Sequence, residues 1–330
     1  MNIITETDTV KVVEGSEQDD FLILAASWEQ RCLGLPQKLA GYRCANVLMT
    51  IYDGRSEKRV ENIKKLRKIL PKVGRLKELD ATHSSPIENV RETIEFIRKL
   101  KLKRMPRITL DASSFTRKHL LQLLQGLDLA NLLGACQIYH TEAQDYHTQD
   151  NESMSEGISS VKAIETFGGE IRPSRDSLLI LFLGFEGRRA LAFWENLEPN
   201  RTIAVIPDPS YREDWKGRAE AQNHYLLSCL PPGALFRSHS LLPSSTEELL
   251  QKISSETAFS KAKYNYFIGP MGTKAQTIGL YRYWRQNRGA LTVVYASPVR
   301  YKEERADYPS GRTWLIDRTQ EWPPVEKGKR

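Results

Sequence analysis

The chain has 330 residues, of which 40% are hydrophobic and 27% are charged. This length predicts about two domains, and the composition is that of a globular protein, which excludes wholesale disorder and a fibrous repeat. Lysine and arginine exceed aspartate and glutamate by 48 − 41 = 7, a mildly basic balance that permits an anionic partner without requiring one.

Short apolar runs alternate with amphipathic stretches along the chain. The runs at residues 21–26, 46–52 and 178–183 are rich in aliphatic and β-branched residues, which predicts strands buried on both faces. Residues 119–133 carry leucines at helical spacing, and residues 274–285 also fit a helix. Strand followed by helix, repeated, predicts βαβ units with mostly parallel sheets.

The two halves of the chain repeat each other. Matching stretches are residues 21–39 with 178–197, 46–52 with 202–207, 107–117 with 264–274, and Tyr139 and Tyr146 with Tyr295 and Tyr301; the helices carry Asn62 and Asn223. These matches occur in one order with offsets between 155 and 161, as in 184 − 27 = 157. A conserved order at nearly constant offset indicates an internal duplication.

The predicted fold is therefore α/β, with two tandem Rossmann-like units related by a pseudo-twofold axis. We expect the first unit to cover residues 1–148 and the second residues 177–302. A polar, turn-rich connector spans residues 149–176. The charged residues 303–330 are expected to form an irregular tail, with a short strand over 313–316.

Open parallel sheets bind ligands outside the carboxyl ends of their strands, which selects the polar residues that follow two strands of each unit. In the first unit these are Ser27, Glu29, Arg31, Asp111, Ser113, Ser114, Thr116 and Arg117. In the second unit they are Gly184, Glu186, Arg188, Arg189, Gly269, Gly272, Thr273, Lys274 and Gln276.

Among these residues, the segment from Gly269 to Gln276, GPMGTKAQ, gives the clearest indication of a ligand site. Glycine lets a ligand approach the backbone, and the first amides of a helix favour an anion. Thr273 and Lys274 would add a hydroxyl and a charge, although the segment lacks the spacing of a Walker A motif. The alternative is a glycine turn beside a surface lysine.

The pairs Glu29/Arg31 and Glu186/Arg188 also permit two interpretations. They could hold a ligand, with arginine as a phosphate fork, or form structural ion pairs. Repetition in both halves does not decide between these, because a duplicated scaffold keeps its structural pairs too.

Positive charge is concentrated in two stretches of the first unit. Residues 55–77 carry ten lysines and arginines against two acids, and residues 98–107 carry six more with none opposing. These stretches are either solvated or dock nucleic acid, through Lys64, Lys65 and Lys68, or an acidic partner. They lack aromatic residues, which favours phosphate contact over base stacking.

Cysteine, histidine and hydropathy patterns exclude several classes of protein. The four cysteines show no C-x-x-C spacing and the six histidines no zinc-ligand spacing, so we expect free thiols, no metal and no cofactor. The first ten residues do not resemble a signal peptide, and no apolar run can span a bilayer. We therefore expect a cytoplasmic protein without a membrane partner.

Two Rossmann-like units with Gly272-Thr273-Lys274 opening a late helix resemble the CARF and SAVED domains of prokaryotic antiviral defence systems. The resemblance implies recognition of a cyclic or linear oligonucleotide signal at the seam between two units. The first unit has Phe115-Thr116-Arg117 at this place and so lacks the glycine.

Three functional hypotheses follow. The first is a nucleotide-binding module with its ligand in the cleft between the units, acting through a partner protein. The second is a nucleotide-processing enzyme, a hydrolase or a glycosyl-transfer enzyme, using Glu29, Glu186 or Asp111 as acid or base. The third is a scaffold subunit that holds nucleic acid on the basic residues 55–77.

Overall fold

Strands and helices alternate through the part of the chain that the structure, a computed structural model, describes: residues 5–6, 19–54, 56–145, 155–303 and 310–325. The strands are β1 (Thr5–Glu6), β2 (Asp19–Ala26), β3 (Cys44–Tyr52), β4 (Arg75–Ala81), β5 (Arg107–Asp111), β6 (Ala135–Ala143), β7 (Ser155–Glu156), β8 (Ser160–Ala163), β9 (Asp176–Phe182), β10 (Arg201–Pro207), β11 (Leu235–Ser238), β12 (Tyr264–Pro270), β13 (Leu291–Ser297), β14 (Arg300–Tyr301) and β15 (Ser310–Arg318). The helices are α1 (Gly34–Lys38), α2 (Glu57–Ile69), α3 (Ile87–Lys99), α4 (Arg117–Leu129), α5 (Gly187–Leu197), α6 (Glu213–Gln222), α7 (His224–Ser228), α8 (Pro243–Ser255) and α9 (Lys274–Gln286).

The chain divides into two compact units with the same strand order. Unit 1 comprises residues 3–147 and 303–322, and unit 2 comprises residues 148–302 and 323–330. The sheet of unit 1 has the order β1-β15-β6-β5-β2-β3-β4, and that of unit 2 the order β11-β10-β9-β12-β13-β8. β2 lies between β3 and β5, and β9 lies between β10 and β12. Strands β2 to β6 run parallel, and so do strands β9 to β13. The predicted α/β fold with two Rossmann-like, mostly parallel sheets is confirmed.

Corresponding elements also begin at a constant offset. The pairs of first residues are Asp19 and Asp176, Cys44 and Arg201, Arg107 and Tyr264, and Arg117 and Lys274, each separated by 157, as in 176 − 19. The spacing of three strands and one helix therefore repeats, although β4 and β11, which lie between them, begin 235 − 75 = 160 residues apart. This agrees with the internal duplication predicted from the sequence.

The central strands are apolar because helices cover both faces of each sheet. Leu22 and Leu24 of β2 pack with Val47 and Met49 of β3, and all four are inaccessible to solvent. In unit 2, Leu179 and Leu181 of β9 occupy the same kind of core. Strands buried on both faces appear as continuous apolar runs, which is why the sequence pattern located them well. Among the described residues, no helix has the length and apolar character needed to cross a bilayer.

Part of the C-terminal segment predicted as an irregular tail is a strand, and the short strand expected over 313–316 lies within it. Residues 310–318 form β15, which pairs antiparallel with β6 and so belongs to the sheet of unit 1. Thr313 is fully buried, and its hydroxyl lies 2.9 Å from that of Thr141 on β6. The sequence signal was weak because the segment is short and polar, whereas its pairing depends on a strand more than 160 residues earlier.

The connector between the halves is also partly ordered. Within residues 149–176, β8 pairs antiparallel with β13 and extends the sheet of unit 2. The ring of Phe167 is fully buried, 4.4 Å from the Trp284 ring. The sequence analysis did not predict β8 or the burial of Phe167, because the surrounding residues are polar. Tyr146 of the predicted repeat and Arg55 of the basic stretch lie outside the described residues.

Helices that return antiparallel to the strands divide the surface of each unit into two edges. In unit 1, α2, α3 and α4 begin where β3, β4 and β5 end, so the first helical turns lie beside the last strand residues. We call this the carboxyl edge. The ends of the same helices and the starts of the strands form the amino edge.

Candidate functional site

The loops after the first strands are fixed in the same way in both units. The Asn62 side chain of α2 donates hydrogen bonds to the carbonyl oxygens of Ser27 (3.0 Å) and Trp28 (3.2 Å). The Asn223 side chain at the end of α6 donates to the carbonyl of Gly184 (2.7 Å). These matching asparagines therefore use their amide N–H groups to hold the chain at the carboxyl edge, while Asn223 Oδ1 is buried and has no partner among the described residues.

Asp111, the last residue of β5, is the most deeply buried acid of the predicted site. The backbone N–H of Ser113 donates to Asp111 Oδ1 (3.0 Å), as does the Ser113 hydroxyl. The Ser113 Oγ in turn accepts from the backbone N–H of Thr141 (2.7 Å). Burial raises the pKa of Asp111 to about 6, against the lowering effect of the Ser113 hydrogen bonds and the Arg31 charge.

Glu29 and Arg31 form a fork within the chain. The Arg31 Nε and Nη2 atoms lie 2.9 and 2.6 Å from Glu29 Oε2, and both side chains are largely buried. The neighbouring Cys32 is fully buried, and burial raises the pKa of its thiol to about 12. Cys32 is therefore a neutral thiol at neutral pH and not an activated nucleophile.

The matching residues of unit 2 are arranged differently. Glu186 accepts a hydrogen bond from the Ser155 hydroxyl (2.8 Å), and Arg188 is exposed. Arg189 is buried, donates from Nε to the carbonyl of Ala296 (2.8 Å), and lies 5.2 Å from the Tyr295 ring centre. Arg189 therefore ties α5 to the end of β13.

The first turn of α4 supplies a second polar group at the carboxyl edge of unit 1. The Thr116 hydroxyl caps the helix by accepting from the His119 backbone N–H (3.2 Å), and Arg117 is the first helical residue. The Tyr52 hydroxyl accepts from the Thr116 N–H (3.2 Å) and lies 2.7 Å from His119 Nδ1. A Tyr52 hydroxyl that donates its proton to Nδ1 leaves the ring proton of neutral His119 on Nε2.

Two buried polar atoms of this turn have no hydrogen-bond partner among the described residues. They are Ser114 Oγ and His119 Nε2. His119 is fully buried, and burial lowers its pKa to about 3, so the ring is neutral near neutral pH. A buried polar atom without a partner costs about 1–3 kcal/mol, which a ligand acceptor or a water would offset.

A cluster of rings surrounds this turn, and the sequence analysis did not identify it. The ring centres of Tyr52 and His83 are 4.5 Å apart, and those of Trp28 and His83 are 6.0 Å apart in a stacked arrangement. The His119 ring contacts Tyr52 and Phe115 edge to face. Each ring follows or ends a strand, so the strand-end rule could have selected them had aromatic residues been included with polar ones.

His83 pairs with Asp53, which follows β3. The His83 Nδ1 lies 2.7 Å from Asp53 Oδ1, and both groups are accessible to solvent in part. Burial lowers the pKa of His83, while the Asp53 hydrogen bond opposes this effect. Asp53 also lines a cavity of about 900 Å³ between α2, α3 and the ends of β3 and β4.

The GTK segment of unit 2 forms a complete helix cap. The Thr273 Oγ1 accepts from the Gln276 N–H (3.2 Å), and Gln276 Oε1 accepts from the Thr273 N–H (2.9 Å). Gln276 also donates to the carbonyl of Ser238 (3.2 Å), and Thr273 donates to that of Ser240 (2.8 Å). These side chains are thus engaged within unit 2.

The glycines and the lysine of that segment lie in tight surroundings. A Cβ at Gly269 would come within 2.6 Å of the Leu181 side chain, and one at Gly272 would clash with Gln276 Oε1. Packing therefore accounts for both glycines. Lys274 is 9% exposed, and the nearby Ser240 hydroxyl is fully buried and has no partner among the described residues.

The residues considered for nucleic-acid binding lie apart from these groups. Lys64, Lys65 and Lys68 are exposed on α2, beyond its first turn. Lys65 pairs with Glu61 one helical turn away, at 2.7 Å. No cluster of three or more possible metal ligands occurs in the described ranges. Cys32, Cys44 and Cys136 are buried free thiols, and Cys229 is exposed.

Comparison with known proteins finds no matching family model and no matching curated protein. Among solved structures, the chain is similar to a candidate universal stress protein from Pseudomonas aeruginosa, with 8% identity over 85% of this chain and 94% of that one, at a TM-score of 0.25. A functionally unknown protein from Pseudomonas aeruginosa is 9% identical over 85% and 93%, also at 0.25. The cytoplasmic domain of a prokaryotic cation chloride cotransporter is 8% identical over 88% and 98%, at 0.26. These TM-scores are too low to carry an argument about function.

Proposed function

We propose that the chain is a nucleotide- or oligonucleotide-binding module that takes its ligand at the carboxyl edges of its sheets and acts through a partner protein. The observation that carries this is the first turn of α4, where Ser114 Oγ and His119 Nε2 are buried and have no partner among the described residues. Hydroxyl and imidazole N–H donors at a helix start suit a phosphate oxygen. The half-buried Trp28 and His83 rings in the same unit offer a surface on which a base can stack.

The resemblance to CARF and SAVED domains, and with it a role in antiviral defence, remains part of this proposal. It is supported by the repeated strand order and by the placement of Arg117 and Lys274 as first residues of corresponding helices. Because Thr273 and Gln276 are engaged in a complete helix cap, we place the main ligand contacts in unit 1 rather than in the GTK segment.

A thermal-shift screen over mononucleotides, dinucleotides and short linear and cyclic oligonucleotides tests the proposal. A ligand that binds only the folded protein raises the apparent unfolding temperature. The ligand with the largest shift would then be titrated by calorimetry against three variants, Trp28→Leu, His119→Phe and Lys274→Ala.

We expect Lys274→Ala or His119→Phe to weaken binding by about 1.5–3 kcal/mol if each donates to a phosphate. Lys252→Ala, an exposed lysine on α8, is the matched control and should leave affinity unchanged. No thermal shift with any of these compounds would refute the proposal. Unchanged affinity in one variant would remove that residue from the site.

A second candidate function, a nucleotide-processing enzyme, is favoured by one observation. Asp111 is a buried carboxyl whose pKa is raised to about 6, a value suited to proton transfer near neutral pH. Its counterpart in unit 2 is Ile268, so only unit 1 could be catalytic.

Chromatography of nucleotides after incubation with the protein tests this candidate. If Asp111 acts as a general base, product formation should rise with pH through about 6 and be lost in Asp111→Asn. Intact substrate after prolonged incubation at pH 5 to 8 would exclude the enzymatic function and leave only the binding function.

A further inference from the structure

The amino edge of unit 1 collects the two basic stretches that are separate in the sequence. The first stretch reaches this edge at the end of α2 and the start of β4, and the second at the end of α3 and in the loop to β5. Six exposed cations there lie outside the Arg104–Asp20 ion pair: Lys72, Arg75, Arg98, Lys99, Lys101 and Lys103. None of the six forms an ion pair with another described residue.

The two acids at the start of β2 are engaged within the chain. Asp20, at the start of β2, is 8% exposed and bound by Arg104 at 2.8 Å. It also accepts from the backbone N–H of Arg107 (2.8 Å). Asp19 accepts hydrogen bonds from the hydroxyls of Tyr42 and Thr109. The exposed cations outnumber these two acids, which gives the edge an excess of positive charge.

Apolar side chains alternate with these cations. Leu100 is 40% exposed, Leu102 is 40% exposed and Met105 is 47% exposed, all within the loop between α3 and β5. Leu129, at the end of α4, is 59% exposed and lies on the same edge. Single exposed apolar residues are common, but four at one edge, interleaved with lysine, form a mixed surface.

We propose that the amino edge of unit 1 is a docking surface for a bilayer that contains anionic lipids. Cations near such a surface are attracted to the headgroups, and apolar side chains gain by entering the interface. Lysine can hold its charge at the headgroups while its stem lies against apolar groups.

The composition of the edge argues against nucleic acid and against another protein as its partner. Nucleic acid would use the cations through its phosphates but offers little contact for exposed leucines. Protein interfaces are enriched in aromatic residues and arginine and depleted in lysine, whereas four of the six cations here are lysines and none of the four apolar residues is aromatic. A lipid surface satisfies both the charge and the apolar side chains.

The proposal departs from the expectation of no membrane partner, which rested on the absence of a spanning segment. A surface contact needs no such segment, because charge and a few interfacial side chains suffice. It is independent of the proposed nucleotide function, which lies at the opposite edge.

Co-sedimentation of the full chain with vesicles tests this proposal. We expect binding to vesicles of phosphatidylcholine with phosphatidylserine, little binding to phosphatidylcholine alone, and a decrease with added salt. Lys72→Glu with Lys103→Glu takes one cation from each basic stretch. It should weaken binding about 25-fold or more, because each cation near an anionic surface contributes about fivefold.

Two control variants make the test specific. Lys58→Glu with Arg91→Glu makes the same change in charge within the first two turns of α2 and α3, toward the carboxyl edge, and should leave vesicle binding unchanged. Leu100→Ser with Leu102→Ser should weaken vesicle binding about tenfold. Ile171→Ser, an exposed apolar residue of unit 2, should not.

Three outcomes would overturn the proposal. The first is no sedimentation with phosphatidylserine vesicles at low salt. The second is equal loss of binding in the variants at the two edges, which would indicate net charge rather than a surface. The third is tight binding to a duplex oligonucleotide that the leucine variant retains, with no vesicle binding, which would make the edge a nucleic-acid surface.

Discussion

Single side chains at the carboxyl edge of unit 1 combine burial with polarity, and this sets their chemistry. The pKa of Asp111 is about 6 in the folded chain against 3.8 for an ordinary aspartate. The folded state therefore holds this proton more tightly than the unfolded state. Protonated Asp111 therefore adds to the free energy of unfolding at low pH, and this stabilisation is lost as the pH rises from 3.8 to 6.

Asp111→Asn should consequently stabilise the protein above pH 6. The expected gain in free energy of unfolding is about 3 kcal/mol at most, from 1.36 kcal/mol for each pH unit between 3.8 and 6. Urea denaturation of both proteins from pH 4 to pH 7 measures it. A difference between the two proteins that does not grow with pH would contradict this assignment.

Tyr52 holds the first turn of α4 through its hydroxyl. Tyr52→Phe removes the partner of His119 Nδ1 and of the Thr116 N–H, and both groups would remain buried. We expect a loss of about 1–3 kcal/mol in the free energy of unfolding. Chemical denaturation measures this loss. Tyr225→Phe, at a tyrosine that is 57% exposed, is the control and should change stability very little.

Pairs of elements are held by buried contacts that sequence patterns do not reveal. Helices α8 and α9 approach so closely that a Cβ at Gly279 would clash with the Pro243 carbonyl oxygen. Between them, Arg282 Nε lies 2.6 Å from Glu247 Oε2, with 8% and 6% of the side chains exposed. Gln286 donates to the other carboxylate oxygen at 2.8 Å.

Glu247→Gln should therefore cost about 3–5 kcal/mol of unfolding free energy, because it leaves the Arg282 charge buried without its counterion. Glu156→Gln makes the same substitution in the exposed Arg300–Glu156 pair and should cost less than about 1 kcal/mol. Thermal unfolding of the two variants provides the comparison. Similar losses of unfolding free energy in both variants would mean that the buried pair stabilises the protein no more than the exposed pair does.

At the scale of the whole molecule, the C-terminal segment completes unit 1. Glu303 lies 2.6 Å from Arg59, a guanidinium with 2% of its side chain exposed. The same arginine donates to the carbonyl oxygens of Tyr52, Asp53 and Gly54. β15 covers the edge of β6, which would otherwise present unpaired backbone groups.

Deletion of residues 303–330 should therefore destabilise unit 1 more than unit 2, which loses only residues 323–330. Amide hydrogen exchange is expected to accelerate in β6 and at the start of α2, because the strand ladder and the Arg59 counterion are lost. β13 of unit 2 serves as the internal reference. Unchanged protection in β6 would show that β15 contributes little to the sheet.

The sequence by itself determined the repeated α/β plan, because that plan rests on local signals. Continuous apolar runs mark strands covered on both faces, and matches at offsets between 155 and 161 mark the repeat. The rule that ligands bind at strand ends also selected Asp111, Thr116 and their neighbours from their positions in the chain alone.

Only the tertiary structure decided which of these groups are engaged and which are not. The burial that raises the pKa of Asp111, the buried His119 Nε2 without a partner among the described residues and the β15–β6 pairing all depend on residues far apart in the chain. The same is true of the amino edge, where the topology joins two basic stretches. Desolvation and strand pairing are properties of packed surroundings, so local periodicity cannot report them.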